Sequence, residues 1–333
     1  MLETPGSDDS WSDPRAFADG LLALLGPEAQ RATPGLPESV REMLTSVGQR
    51  ELDGFLERLQ STGEDWGYHP SHAVARALSH IVMRAMLEKG SAIEQPDALA
   101  GAKGRPVIFV GNHLSFADAN AFEFLLSDAG YSELAERLVV VAGPKVFTTP
   151  LRRVASLGFG TIKTPQSSSI ASGEAVMSPR DVARTASRTL REAREQVEAG
   201  AALLVFIEGT RSRSGSMQRA LAGVARYLDR AEALVLPFGQ TGTERLTPIG
   251  STEHFQHARV IARIGTPVAA ADLVDLCNHK RALIMDTLGC LIADCLPAES
   301  RGVYSGSDPR LGAARELAAR LSHPGGSETN GRR

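Results

Sequence analysis

Val107-Ile108-Phe109-Val110-Gly111-Asn112-His113-Leu114-Ser115-Phe116-Ala117-Asp118 is the stretch on which the reading of this chain turns. Its first four residues are β-branched or aromatic and are bounded by Pro106 and Gly111, which predicts a strand buried on both faces. Asn112 and His113 then fall at the carboxyl end of that strand, where open α/β sheets hold their ligands. Asp118 opens a helical pattern over residues 119–126. A carboxylate on one imidazole nitrogen fixes the tautomer and leaves the other nitrogen to take a proton from a hydroxyl, so His113 and Asp118 read as a general base and its orienting partner. No serine or cysteine nucleophile is needed. On this stretch alone a plainer reading stays open, in which Asp118 caps the helix and His113 is a hydrogen-bonded loop residue.

A second apolar run, Leu203-Leu204-Val205-Phe206-Ile207, leads straight into Glu208-Gly209-Thr210-Arg211-Ser212-Arg213-Ser214-Gly215. Guanidinium forks, hydroxyl donors and flexible backbone at the end of a buried strand suit a phosphate. The alternative is a solvated basic turn, although loops carried on a buried scaffold are where function concentrates.

Asn112-His113-x4-Asp118 followed by Phe206-Ile207-Glu208-Gly209-Thr210-Arg211-Ser212 resembles the first and third sequence blocks of the glycerolipid acyltransferases, which include the glycerol-3-phosphate and lysophosphatidic acid acyltransferases. Between them, Ala142-Gly143-Pro144-Lys145 and Leu157-Gly158-Phe159-Gly160-Thr161-Ile162-Lys163 resemble the segment holding the second block, with Lys163 in the basic place where many members carry arginine. Leu234-Val235-Leu236-Pro237-Phe238 is similar to the fourth block, Phe238 being bulkier than usual, and Thr241-Gly242-Thr243-Glu244-Arg245 resembles a continuation in bacterial lysophosphatidic-type members. The resemblance covers residues 107–267.

It implies transfer of an acyl group from acyl-CoA or acyl carrier protein to a glycerol hydroxyl in phospholipid biosynthesis, with no cofactor beyond that co-substrate and no metal. His113 would deprotonate the hydroxyl and Asp118 would orient it. Arg211, Lys163, Arg213, Thr210 and Ser212 would hold the acceptor phosphate; Asn112, Glu208, Gly209 and Lys145 would shape the pocket. Lysophosphatidic acid is favoured slightly over glycerol-3-phosphate. Two alternatives are an acyltransferase for an unphosphorylated or specialised acceptor, with Arg211 on a carboxylate, and a silent lipid-binding relative, against which intact His113, Asp118 and Arg211 argue. Phe116, Phe122, Phe147 and Phe159 are candidates for an acyl tunnel, and equally for ordinary core.

The 333 residues carry a net charge of −3, with 42% hydrophobic and 23% charged residues, which gives no general attraction to nucleic acid or anionic lipid. Lys145, Arg152 and Arg153 form a candidate local patch for peripheral membrane contact. Cys277, Cys290 and Cys295 lack metal-type spacing and read as reduced core thiols; with no signal-peptide pattern at the start, the expected location is the cytoplasm. The run Leu21-Leu22-Ala23-Leu24-Leu25 is too short to span a bilayer. His254 and His257 read as surface residues rather than metal ligands. Nucleophile-elbow, Walker and dinucleotide patterns do not occur.

The expected organisation is a flexible tail over residues 1–34 around one short helix at 16–25, then a helical bundle at 35–100 and an acyltransferase α/β domain at 101–300. A C-terminal helix at 309–321 with a disordered end completes residues 301–333. Strands at 107–110, 138–141, 203–207, 234–238 and 259–264 alternate with helices at 119–126, 181–199, 218–230 and 271–295. That alternation predicts an α/β fold with a mostly parallel mixed sheet flanked by helices, preceded by a small N-terminal helical bundle; that the fold is glycerol-phosphate acyltransferase-like is what the resemblance implies. The polar segment 164–178, directly after Lys163, is read as a lid over the acceptor.

Overall fold

The computed structural model describes residues 14–165, 178–229, 232–250, 254–306 and 308–322. Helical spacing in the first quarter of the chain produces α1 (Pro14–Leu25), α2 (Pro27–Ala32), α3 (Leu36–Ser46) and α4 (Gln49–Glu64), then strand β1 (Gly67–His69) and α5 (Ala73–Met86). Strands and helices follow as β2 (Ala92–Glu94), β3 (Val107–Gly111), α6 (Asp118–Asp128), α7 (Ser132–Glu136), β4 (Leu138–Ala142), α8 (Pro150–Ser156) and β5 (Gly160–Lys163). The remainder runs α9 (Pro179–Glu198), β6 (Ala202–Phe206), β7 (Leu234–Thr241), α10 (Thr243–Leu246), β8 (Ile261–Ile264), β9 (Val268–Ala269), α11 (Ala270–Leu276), α12 (Arg281–Asp294) and α13 (Gly312–Ser322).

Among the described residues one sheet runs in the order β1-β5-β4-β6-β3-β7-β8-β2, with β9 pairing β7. The five strands from β5 to β7 are mutually parallel; β1 and β8 join antiparallel. This is the mostly parallel mixed sheet that the alternation predicts. Side chains of β3 alternate between two cores: Val107 and Phe109 face α1, α3, α4, α5 and α6, while Ile108 and Val110 face α9, α12 and α13. A strand covered on both faces has no solvated side, which is why its sequence is continuously apolar.

An aromatic cluster sits under the first core layer. Phe122 stacks on Phe238 at 4.3 Å between centroids, and Phe109 meets Phe122 edge-on at 5.1 Å. Each fully buried phenylalanine contributes about 2–3 kcal/mol of hydrophobic stabilisation. The bulk of Phe238 has a local partner: Gly111 is its neighbour across the parallel ladder, and a Cβ at Gly111 would collide with the Phe238 ring. Phe122 and Phe159 belong to this core and Phe147 is equally buried, so three of the four tunnel candidates are packing residues.

Several expectations need correction. Residues 14–32 are not tail: α1 buries Phe17, Leu21, Leu22 and Leu25, with Phe17 edge-on to Phe55 at 5.8 Å. The helices expected as a bundle at 35–100 are present but have no core of their own; Leu44, Phe55 and Leu78 share one with Phe109 and Leu236. The helix expected at 218–230 is instead a 3-10 turn at Ala222–Tyr227. Its leading amides are engaged elsewhere: Gln218 N donates to Glu208, Ala220 N to the Tyr304 hydroxyl and Leu221 N to the Ile207 carbonyl. The helix expected at 271–295 breaks between α11 and α12, where Asn278 and His279 take φ of 50° and 57°. Strands β1, β2 and β5 were not anticipated, being three or four residues long. The lid segment lies outside the described residues but for 164, 165 and 178, as does the C-terminal end beyond 322.

Candidate active site

β3 and β6 end level with one another, Gly111 pairing with Phe206, while β7, whose Phe238 also pairs with Gly111, runs on to Thr241. Two loops therefore leave the sheet side by side, carrying His113 and Glu208, and lie beside Gln240 near the end of β7. The His113 loop is folded around Asp118, which is 1% exposed. Leu114 N donates to Asp118 Oδ2 at 2.6 Å; Ser115 N and Oγ donate to Oδ1 at 3.0 and 3.2 Å. His113 Nδ1 lies 2.8 Å from Oδ2. With two backbone amides already donating to it, the carboxylate acts as acceptor, so Nδ1 carries the ring proton and Nε2 presents a lone pair. Asp118 stands in the first turn of α6, whose positive dipole end favours its charge. The imidazole stacks on Phe206 at 4.4 Å and 12°, and its side chain keeps 18% exposure. Asp118 does not cap the helix: Ala117 holds the N-cap position without a side-chain bond, and both Asp118 oxygens face the His113 loop.

Glu208 fastens the second loop to the first. It is 2% exposed and accepts from His113 N at 2.9 Å and from Gln218 N at 2.7 Å. Ser212 N donates to the His113 carbonyl at 2.7 Å, and Ile207 N to that of Gly111 at 3.1 Å. The 113 and 212 segments are thus hydrogen-bonded neighbours despite their separation along the chain. Asn112 ties the base loop to the end of β7: its Nδ2 donates to Gln240 O at 2.9 Å and its Oδ1 accepts from Gln240 N at 2.8 Å. Gln240 Nε2 reaches the Asp118 carbonyl at 3.3 Å. Gln240 escaped the sequence reading; its signal is a fully buried amide closing an apolar strand.

Burial pushes the Glu208 carboxyl up from 4.5 to about 7, with nearby Asp118 adding to the rise and the His113 and Gln218 amides opposing it. A carboxyl whose folded pKa is raised binds its proton more tightly in the native state, so stability falls as pH rises from about 4.5 to about 7 and levels off above that. That span corresponds to about 3 kcal/mol. We expect the melting temperature of Glu208→Gln to lose this descending component between pH 5 and 7, relative to the unsubstituted protein. Parallel melting curves for the two proteins across that range would place the titration on another group.

Arg211 is aimed back over the base loop, its guanidinium carbon 3.6 Å from the centroid of the Phe116 ring. Arg152 of α8 lies against the same ring at 3.8 Å and is anchored by Nη1 to the Lys145 carbonyl at 3.0 Å. Arg152 was read only as part of a surface patch. Gly209, at φ +68°, makes the turn that a Cβ would block against Leu221. Ser212 is buried and its hydroxyl donates to Ser216 O at 2.6 Å, while Thr210 and Arg213 are exposed on the turn. Lys145 contributes its carbonyl, and its side chain is exposed.

Lys163 is not where the resemblance puts it. β5 lies three strands from β3, about 14 Å at ordinary strand spacing. Its ammonium is buried and donates to Gly63 O at 2.7 Å and Thr62 O at 3.4 Å, beside the Trp66 and Phe147 rings. Those carbonyls belong to the last turn of α4, so Lys163 closes a helix C-terminus. Desolvation, with Arg153 nearby, pulls its pKa down. Away from the site, the three cysteines are buried, and burial raises Cys290 to about 11 and Cys295 to about 12. His257 Nε2 meets the Thr33 hydroxyl at 2.9 Å. Among the described residues no helix is long and apolar enough to cross a membrane.

In this α/β protein a histidine–aspartate pair and a guanidinium are gathered where parallel strands end, an arrangement chemically able to move a proton beside an anion. Residues 93–240, under half of the chain, match the family model described as Acyltransferase, from within β2 to within β7. The match starts earlier than the resemblance at 107–267 and stops short of its end. The chloroplastic 1-acyl-sn-glycerol-3-phosphate acyltransferase of Arabidopsis thaliana is 25% identical over 183 residues, covering 55% of this chain and 45% of that protein. Its counterpart in Brassica napus is also 25% identical over 183 residues, covering 46% of its length. The chain thus spans under half the length of the curated relatives it matches. The crystal structure of the 1-acyl-sn-glycerophosphate acyltransferase of Thermotoga maritima aligns at 16% identity and a TM-score of 0.42, covering 78% of this chain and 88% of that one.

Proposed function

We propose that this protein is an O-acyltransferase that moves a fatty acyl group from an acyl-CoA or acyl carrier protein thioester to a hydroxyl of a phosphorylated glycerol. The observation that carries this reading is the 2.8 Å contact of His113 Nδ1 with a buried Asp118, on a loop hydrogen-bonded to the segment bearing Arg211. In the transfer, Nε2 takes the acceptor hydroxyl proton as the oxygen attacks the thioester carbonyl carbon. The tetrahedral intermediate collapses, the carbon–sulfur bond breaks, and the thiolate leaves with the proton returned by the imidazolium. Arg211 holds the acceptor phosphate and thereby aims the hydroxyl; such positioning supplies on the order of 7 kcal/mol at best.

Lysophosphatidate is the favoured acceptor over glycerol-3-phosphate, because both plant relatives are named as 1-acyl-sn-glycerol-3-phosphate acyltransferases. Labelled acyl-thioester offered with a panel of acceptors tests the reading: label should pass to the phosphorylated glycerols. Absence of transfer to every acceptor would sink it, and preference for an unphosphorylated acceptor would redirect it. Arg211→Ala should raise the acceptor KM by about 10- to 100-fold, the loss of one charge-assisted contact of about 1.5–3 kcal/mol, with kcat changed much less. An unchanged KM would move the phosphate elsewhere.

A further inference from the structure

Residues 216–221 follow the turn after β6 and form neither helix nor strand, so their backbone donors go to two neighbours. Toward the site, Gln218 N donates to Glu208 Oε2 at 2.7 Å and Leu221 N to the Ile207 carbonyl at 2.9 Å. Toward the C-terminal segment, Met217 N donates to the Ser300 carbonyl at 2.9 Å and Ala220 N to the Tyr304 hydroxyl at 3.0 Å, while Val303 N donates back to the Met217 carbonyl at 3.2 Å. The Ser216 hydroxyl adds a bond to the Glu299 carbonyl at 3.0 Å. Arg219 forks onto Asp286 of α12, Nε to Oδ1 at 3.2 Å and Nη2 to Oδ2 at 2.7 Å. The bonds at 217 and 220 therefore bracket the Gln218 amide, whose acceptor is Glu208. The C-terminal partner is fitted to this place: Met217 and Tyr304 are buried, a Cβ at Gly302 would strike the Met217 carbonyl, and Gly289 of α12 leaves the Tyr304 ring its space. Residues 299–304 lie beyond the part of the chain that matches the family model.

We propose that residues 299–304 position the active site through Tyr304: its hydroxyl holds Ala220, which sets the reach of the Gln218 amide to Glu208, and Glu208 in turn holds the amide of His113. The last link, His113 N to Glu208 Oε1, is 2.9 Å long. Glu208 thus has each oxygen occupied by one of these two amides, and in a buried hydrogen-bonded network a change at one bond is felt at its neighbour. Tyr304 is a positioning residue, acting on the base through three hydrogen bonds and a short run of backbone. The inference rests on the acyltransferase reading for its effect on rate, and on the hydrogen bonds alone for its effect on the His113 amide.

Tyr304→Phe removes the acceptor of Ala220 N and keeps the ring. In the full chain its kcat for acyl transfer to lysophosphatidate should fall about five- to tenfold on loss of one link in the network, with the acceptor KM within about twofold. Its His113 amide resonance should move. Leu273→Ala is the control for destabilisation: it empties a fully buried position on α11 and leaves every bond of residues 216–221 in place, so the melting temperature should drop while kcat and the His113 amide stay as they were. A hydroxyl that served stability alone would lower the melting temperature and leave that amide unmoved. An unmoved His113 amide in Tyr304→Phe therefore overturns the proposal, as does an equal movement in Leu273→Ala. So does an unchanged kcat in Tyr304→Phe wherever transfer is measured. If none of the proteins acylates any acceptor, the transfer reading falls, and the amide resonance alone decides whether Tyr304 positions the histidine.

Discussion

Replacing His113 by alanine is expected to lower acyl transfer by about three orders of magnitude, the middle of the range for losing a positioned general base. The acceptor hydroxyl is far too weak an acid to lose its proton unaided at neutral pH, and Nε2 is the lone pair that the Asp118 contact leaves available. The protein should stay folded. The imidazole rests on Phe206 and Asp118, while the loop backbone is held by Glu208 at the His113 amide and by Ser212 at its carbonyl. Asp118 keeps its contacts from Leu114 and Ser115, so the stability cost stays near about 1 kcal/mol. Single-turnover rates and circular dichroism on the same preparation would check both halves. A variant within tenfold of the full rate would assign the proton to another group.

Asp118→Asn is expected to cost almost as much in rate, and more in stability. Oδ2 accepts from both Leu114 N and His113 Nδ1, and Oδ1 from Ser115 N and Oγ. An amide supplies one oxygen and one NH2. With the NH2 toward Oδ2's partners, two donors face a donor, and the imidazole must shift its proton to Nε2 to relieve the conflict, which abolishes its use as a base. With the NH2 turned the other way, the Ser115 amide is left buried without an acceptor, at about 1–3 kcal/mol. We expect kcat to fall by two to four orders of magnitude on the general-base scale, with the acceptor KM nearly constant. The nitrogen-15 shifts of the imidazole would report the tautomer. An unchanged tautomer together with a large rate loss would show that Asp118 acts by some route other than orienting His113.

How far the chain could be read in advance depended on where each signal lay. β3 and its loop were legible because a strand covered on both faces must be apolar and its end must change character abruptly, as it does at Gly111. The helix α9 was legible from its ends: Ser178 Oγ accepts from Asp181 N at 3.1 Å, with Pro179 opening the first turn. The spacing of Phe17, Leu21 and Leu25 announced a helix, but the polar residues around it concealed that it docks. Lys163 misled because blocks record order along the chain and not where a long side chain goes; the open carbonyls of α4 arrive from a hundred residues earlier. Arg152 was missed for the complementary reason, since its relation to Phe116 exists only after α8 has folded over the base loop.

Gly111 and Phe238 carry a last lesson about inheritance. One position gives up the space that the other fills, so the two, 127 residues apart, behave as a single allele of the core. A larger residue at 111 becomes acceptable only in a lineage that has already trimmed 238. Grafting the histidine loop onto another scaffold would therefore require matching it to the residue facing position 111, here a phenylalanine buried in the core beneath the loop.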